Sequence, residues 1–134
     1  MNWKKDKALA YLVLRLALGI NLLMHGLVRI PKLTEFVSGI TAGFEGTIMP
    51  KALVAGFAYF LPYAEALIGL LILVGAWTRW ALLAGGLLIS VLIFGKSLQQ
   101  EWGTVGTQMV YVLSFFFALF FTEFNHFSID RRGK

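Results

Sequence analysis

The sequence contains no cysteine and few charged residues. Of its 134 residues, 14% are charged and 58% are hydrophobic. Without cysteine, the chain can form no disulfide, thiolate metal site or thiol relay of its own. Soluble domains contain about 25% charged and roughly 45–50% apolar residues, so this composition is typical of an integral membrane protein. The net charge of +5 does not indicate nucleic-acid binding, because the basic residues lie at the ends of apolar segments.

Four continuous apolar segments organise the chain. Each is close to the roughly 17–25 residues that a helix needs to cross about 30 Å of hydrocarbon. The first contains Arg15 and is too long for a signal peptide, so we expect a retained transmembrane helix. Continuous rather than alternating hydrophobicity argues against a transmembrane barrel. We predict an all-α, four-transmembrane-helix bundle that forms a single integral membrane domain over residues 1–134, with spans at 8–30, 53–76, 80–97 and 106–124.

The basic residues predict the orientation of the bundle. A cytoplasmic N-terminus leaves three lysines, Lys32, Lys51 and Lys96, outside or near the outer boundary. The same orientation places seven basic residues inside, namely Lys4, Lys5, Lys7, Arg79, Arg131, Arg132 and Lys134. Because cytoplasmic loops carry the excess of lysine and arginine, we expect both termini in the cytoplasm.

The longest connection, over residues 31–51, has an amphipathic pattern. Its apolar residues recur at helical spacing, at Leu33, Phe36, Val37, Ile40 and Phe44. Pro31 can open such a helix, and Gly46 and Pro50 can end it. We expect an interfacial helix on the outer surface, partly over the mouth of the bundle. It is either a connector that lies on the membrane or a lid over a site.

Polar residues form a stripe on the first apolar segment. Arg15, Asn21, His25 and Arg29 fall within roughly a third of the helix circumference. Such groups cost on the order of 2–4 kcal/mol each in hydrocarbon. The stripe is therefore predicted to face protein or a wet cavity.

Glu65 is the acidic residue near the middle of the second segment. Counting about 1.5 Å per residue places it about 18 Å below the outer end of its helix, between Arg15 at about 22 Å and Asn21 at about 13 Å. This depth predicts a structural ion pair between Arg15 and Glu65 that fixes helix packing. A second interpretation, compatible with the first, is that Glu65 lines a proton or substrate site with Asn21 or His25.

The third and fourth segments add polar groups near the same end. Lys96 closes the third segment, and the fourth carries the stripe Thr104, Gln108, Tyr111, Ser114, Ala118 and Thr122. This stripe serves interhelical hydrogen bonding or, through Gln108 and Tyr111, a ligand. No metal site is expected, because the other histidine, His126, lies at the inner end. We predict an outward-facing pocket whose ligand-binding residues are Asn21, His25, Arg29, Glu65, Lys96, Gln108 and Tyr111, with no catalytic residue assigned.

Motifs on the first two segments carry a family resemblance. One motif is Arg15-Leu16-Ala17-Leu18-Gly19 followed by Met24-His25-Gly26, Arg29 and Pro31-Lys32. The other joins Glu65, Gly69 and Gly75 to Thr78-Arg79 and Leu82. The chain resembles the DoxX family, whose members are small four-helix proteins of the bacterial cytoplasmic membrane. Carried over by position, the resemblance nominates Arg15, His25, Gly26, Arg29, Glu65 and Arg79.

The resemblance implies a membrane redox function. Relatives include the membrane subunit of an archaeal thiosulfate:quinone oxidoreductase, and others are linked to assemblies that handle oxidative stress. We therefore expect an accessory subunit of a quinone-linked system that binds a quinone or another small polar ligand. Its expected partners are the lipid bilayer, a redox protein and a second copy of the chain. The alternative is a non-catalytic carrier of small molecules or lipid, or a membrane-assembly partner.

Overall fold

The computed structural model describes residues 2–132, which fold into helices joined by short turns. The α-helices are α1 (Trp3–Arg29), α2 (Leu33–Gly43), α3 (Lys51–Val74), α4 (Thr78–Leu98), α5 (Trp102–Phe120) and α6 (Ile129–Arg132), with 3₁₀ turns at Ile30–Lys32 and Thr122–Phe124. Four helical stretches are long and apolar enough to cross a membrane: α1 continuing into α2, then α3, α4 and α5. They confirm the predicted all-α fold with four spans. A single domain over 1–134 stays a prediction, and Met1, Gly133 and Lys134 lie outside the described residues.

The four long helices lie at the corners of a square, in the order α1, α3, α4 and α5. α1 has its largest interface with α3, and α5 has its largest with α4. Contacts between α3 and α4, and a much smaller set between α1 and α5, complete the square. The bundle is therefore most loosely packed along the seam between α1 and α5.

The two ends of the bundle carry different short elements. At one end, α2 follows α1 and packs on α3, and a Cβ added to Gly43 would lie 2.8 Å from the Gln99 side chain beyond α4. At the other end, the backbone N–H of Asp130 in α6 donates to the carbonyl of Gly75 after α3, at 3.0 Å. We call these the α2 end and the α6 end.

Glycines set the register of α1 against α3. A Cβ added to Gly69 would lie 2.7 Å from the Cα of Leu23, and one added to Gly26 would lie 2.5 Å from the backbone nitrogen of Ala66. No side chain fits in these gaps, so the two backbones touch, as small residues allow between membrane helices. The contact fixes which residues of the two helices lie at the same depth.

The predicted amphipathic helix in the first connection is α2. Pro31 lies in the 3₁₀ turn that precedes it. Gly46 follows its end with a left-handed φ of 82°, and Pro50 precedes α3. Phe36 and Ile40 project toward the interior of the bundle, where they line a cavity.

The outer face of α5 is rich in exposed phenylalanine, which is typical of a surface that faces lipid. Two hydroxyl groups on its polar stripe, those of Ser114 and Thr122, bond within their own helix or turn and to no other helix among residues 2–132, so the prediction of interhelical hydrogen bonds is wrong for them. Ser114 donates to the carbonyl of Val110 at 3.0 Å, and Thr122 donates to that of Leu119 at 3.1 Å. Each hydroxyl has the carbonyl of the preceding turn within reach, which satisfies it locally. The exposed aromatic residues are Phe116, Phe117, Phe120 and Phe121.

Candidate functional site

A cavity of about 290 Å³ lies at the α2 end, between α1, α3, α4 and α5 and beside α2. Such a volume is near the lower bound of about 300 Å³ for small-molecule sites. All seven side chains that the sequence predicted as ligand-binding line it: Asn21, His25, Arg29, Glu65, Lys96, Gln108 and Tyr111. The structure therefore brings these residues together, and their binding of a ligand stays a prediction.

An ion pair between Arg29 and Glu65 forms one wall of the cavity. The guanidinium Nη1 of Arg29 donates to Oε2 of Glu65 at 2.7 Å. The Glu65 side chain is 3% exposed and that of Arg29 is 29% exposed. The guanidinium carbon of Arg29 also lies 4.8 Å from the centre of the Phe36 ring, within cation–π range. The pair thus ties α1 to α3 and places a neutralised charge beside the cavity.

The predicted ion pair between Arg15 and Glu65 is wrong. The glycine contacts described above place Glu65 close to the level of Gly26, so that Arg29, one turn further along α1, reaches it. The prediction assumed that the outer ends of the two apolar segments lie at the same depth in the membrane. Backbone contact, rather than segment length, sets their register.

His25 lines the cavity, and one of its ring nitrogens is engaged within α1. Its Nδ1 lies 2.7 Å from the backbone carbonyl oxygen of Asn21. A carbonyl can only accept, so Nδ1 carries a hydrogen and donates it. In the neutral ring Nε2 is then an acceptor, and in the protonated ring it is a donor. A ligand hydroxyl group can therefore donate to Nε2 of the neutral ring, and a ligand carbonyl can accept from Nε2–H of the protonated ring.

Gln108 offers a second hydrogen-bonding group to the cavity. Its amide oxygen is buried and has no hydrogen-bond partner among residues 2–132. A half-turn of the amide exchanges its oxygen and nitrogen, so this end can accept or donate a hydrogen bond. Because an unsatisfied buried polar atom costs about 1–3 kcal/mol, the position favours a polar ligand.

Lys96 lies at the rim and is paired with an exposed acid. Its Nζ donates to Oε2 of Glu101 at 2.9 Å, and Thr104 donates to the same oxygen at 3.3 Å. The hydrogen bond from Lys96 holds the pKa of Glu101 below its usual range. With Arg29 also paired, the charged side chains of the wall are balanced, and the cavity suits a neutral polar ligand.

Arg15 lies in a separate polar cluster at the α6 end, which the sequence did not predict. Its Nη1 donates to Oδ1 of Asn125 at 2.6 Å, and its Nη2 donates to the carbonyl of Phe127 at 2.6 Å. The cluster requires glycine at position 75, because the backbone there has a left-handed φ of 71° and there is no room for a Cβ. A side chain there would be strained, and its Cβ would lie 2.5 Å from the guanidinium of Arg15.

The same cluster holds the start of α4. The carboxylate of Asp130 accepts from the backbone N–H of Trp77 at 2.7 Å and from that of Thr78 at 2.9 Å. Asn125 also donates to the hydroxyl of Thr78 at 3.0 Å. Burial raises the pKa of Asp130, but the hydrogen bonds from the backbone and side chain of Thr78 and from Trp77 outweigh it and leave that pKa below its usual range. The cluster is a structural clamp on the helix ends.

The resemblance seen in the motifs is supported by comparison with protein families. The model of the family described as DoxX matches residues 10–96, which is more than half of the chain. The chain belongs to the DoxX family. No curated protein and no solved structure showed a significant match to this DoxX protein.

The family match covers only part of the residues that line the candidate site. It includes the cavity residues on α1 to α4, and it ends before Gln108 and Tyr111 on α5. Of the residues nominated by resemblance, His25, Arg29 and Glu65 lie at the cavity of this DoxX protein. Arg15 and Arg79 lie at the α6 end, and Gly26 packs on α3.

Proposed function

We propose that this DoxX protein binds the oxygen-bearing head group of a quinone-like ligand in the cavity at the α2 end. The observation that carries the proposal is the position of His25, which lines the cavity. Its Nδ1 is engaged by the Asn21 carbonyl, and its Nε2 has no hydrogen-bond partner among residues 2–132. Neutral Nε2 accepts from a quinol hydroxyl, and the protonated ring donates to a quinone carbonyl. His25 can therefore serve both redox forms of such a ligand.

Gln108 supplies the second contact to the ligand. Its amide oxygen, which has no hydrogen-bond partner among residues 2–132, lies on α5, on a different helix from His25. Two hydrogen-bonding groups on separate helices suit a ring that carries oxygens on opposite sides. The balanced charges of the Arg29–Glu65 and Lys96–Glu101 pairs favour a neutral head group over an anion.

In the cell, the protein would act as an accessory subunit of a quinone-linked redox system in the bacterial cytoplasmic membrane. The basic residues at the α6 end support a cytoplasmic location for both termini. The cavity would then open toward the outer side. A redox partner would supply the electrons, and this chain would hold the quinone head group and its hydrogen bonds.

Non-catalytic binding of a small molecule or lipid is the second candidate function. It is favoured by the pairing of the charged side chains in the cavity wall, because paired charges are less available as acid or base. The two candidates share the pocket and differ in whether the bound molecule changes its redox state.

Titration with decylubiquinone tests the proposal. The protein is purified in detergent, and its dissociation constant is measured for wild type, Gln108→Ala and the matched control Gln100→Ala, an exposed glutamine beyond α4. We expect Gln108→Ala to weaken binding by about fivefold to tenfold, since one hydrogen bond is worth roughly 1 kcal/mol, and Gln100→Ala to leave it unchanged. Absence of binding to the wild type, or equal constants for all three, would overturn the proposal. A further measurement separates the two candidate functions. The absorbance of the bound quinone is followed after quinol-generating membranes are added: a change supports the redox role, and no change supports non-catalytic binding.

A further inference from the structure

A second cavity, of about 510 Å³, lies in the seam between α1 and α5 at the α6 end. Within residues 2–132 it shares no lining residue with the cavity at the α2 end. Ala10, Leu14 and Phe117 form part of its apolar wall. The hydroxyl of Tyr11 donates to the carbonyl of Ala118 at 2.9 Å and ties the two helices together at this groove. We call this cavity the α1/α5 groove.

A lysine held between two aromatic rings lies at the mouth of the groove. The ammonium of Lys7 is 4.7 Å from the centre of the Trp3 ring and 4.9 Å from that of Phe124. Cation–π contacts of this kind fix a charge without neutralising it. Among residues 2–132 Lys7 forms no ion pair, so its ammonium is positioned and available for an anion.

An acidic residue, Glu123, lines the same groove. Glu123 follows α5 in the 3₁₀ turn at Thr122–Phe124, and like Lys7 it forms no ion pair among residues 2–132. Both residues lie at helix ends, where a membrane helix meets the head groups. From Lys7 the groove extends along α1 to Leu14, about 10 Å deeper into the bilayer at 1.5 Å per residue. The groove therefore has one positive and one negative group at its mouth and an apolar interior.

We propose that the α1/α5 groove is a binding site for phosphatidylethanolamine. The lipid phosphate binds the Lys7 ammonium, the primary ammonium of the head group binds the Glu123 carboxylate, and an acyl chain lies against Ala10, Leu14 and Phe117. Charge complementarity selects this lipid. Phosphatidylglycerol also has a phosphate for Lys7, but it has no cation for Glu123 and its negative charge is repelled there. The site is separate from the proposed quinone pocket, so either can exist without the other.

Native mass spectrometry of the full chain in detergent tests the site. The protein is titrated with phosphatidylethanolamine and phosphatidylglycerol of identical acyl chains, and the two affinities are compared. We expect the wild type to prefer phosphatidylethanolamine. Lys7→Gln should weaken both lipids by about fivefold, the effect of one basic residue near a lipid head group. Lys7→Arg, which keeps the charge, should retain the preference.

Glu123→Gln gives the decisive comparison. It should weaken phosphatidylethanolamine and strengthen phosphatidylglycerol, so that the preference is lost or reversed. Lys4→Gln and Asp6→Asn make the same charge changes at the same end, on exposed residues that do not line the groove, and should leave the preference unchanged. Ala10→Phe, which adds a ring inside the groove, should weaken both lipids.

Three outcomes would overturn the proposal. The first is a wild type with equal affinity for the two lipids. The second is a lipid preference that Glu123→Gln leaves unchanged while the protein remains folded by circular dichroism. The third is a dimer, detected in the same spectra, that Ala10→Phe dissociates, because the groove would then be filled by a second copy of the chain.

Discussion

The ion pair between Arg29 and Glu65 predicts an asymmetry in stability. Its atoms are 2.7 Å apart, but the Glu65 side chain is 3% exposed and that of Arg29 is 29% exposed. Arg29→Gln leaves a buried carboxylate without its cation, which should cost about 3–5 kcal/mol of unfolding free energy. Glu65→Gln leaves a guanidinium that can reach water and keeps an amide acceptor beside it, so its cost should be about 1 kcal/mol.

A double-mutant cycle in detergent measures this difference. Unfolding free energies are determined for the wild type, both single variants and Arg29→Gln/Glu65→Gln. The double variant should be more stable than Arg29→Gln alone, because its buried group is neutral. Lys96→Gln removes a pair whose acid, Glu101, is 48% exposed, and it should cost less than about 1 kcal/mol. Equal costs for the two single variants, or a double variant whose loss is the sum of both, would refute this reading of the pair.

Three further predictions concern the helix contacts and the α6 end. Gly69→Ala should destabilise the protein by about 1–3 kcal/mol, because the added methyl group forces α1 away from α3. Gly56→Ala is the control on the same helix. It has open space around it and should change the unfolding free energy by about 0.5 kcal/mol or less. Asn125→Ala should cost about 1–3 kcal/mol because it removes one of the two acceptors of a buried guanidinium. His126→Ala beside it, at an exposed residue, should cost little in the same assay. Asp130→Asn should lower the melting temperature at neutral pH. Since the pKa of Asp130 is below its usual value in the fold, the stabilisation is complete above that usual value of about 3.9 and is lost as pH falls through the folded-state pKa. The difference from the wild type should therefore shrink in acid; a constant difference would contradict the assigned cap.

The sequence was sufficient to predict the polar cavity at the α2 end. Polar residues in a membrane helix must face protein or water, and helical spacing shows which of them share a face. His25 and Gln108 could therefore be assigned to a common pocket from their faces and their distance from one end of the bundle. The pairing of Glu65 required the register between α1 and α3, which direct backbone contact at Gly69 determines. Segment lengths carry no information about that contact.

The clamp at the α6 end lies beyond the last apolar segment. Asn125 and Asp130 follow the fourth span in a stretch without hydrophobic periodicity, so no pattern linked them to Arg15. The structure shows why Asp130 is needed. Trp77, which precedes α4, has a left-handed φ of 45° and no side chain able to cap a helix. A helix that begins without a Ser, Thr, Asp or Asn cap needs an acceptor from elsewhere in the chain, and Asp130 supplies it.

The most direct measurement of the central claim is the position at which a quinone labels the protein. The purified chain is photolysed with an azidoquinone, with and without excess decylubiquinone, and the labelled peptides are mapped. Binding in the cavity at the α2 end predicts adducts near His25 on α1 and near Gln108 on α5, both removed by the competitor, and an unchanged pattern in His126→Ala. Adducts that the competitor does not remove, or competed adducts confined to the α6 end, would contradict the account.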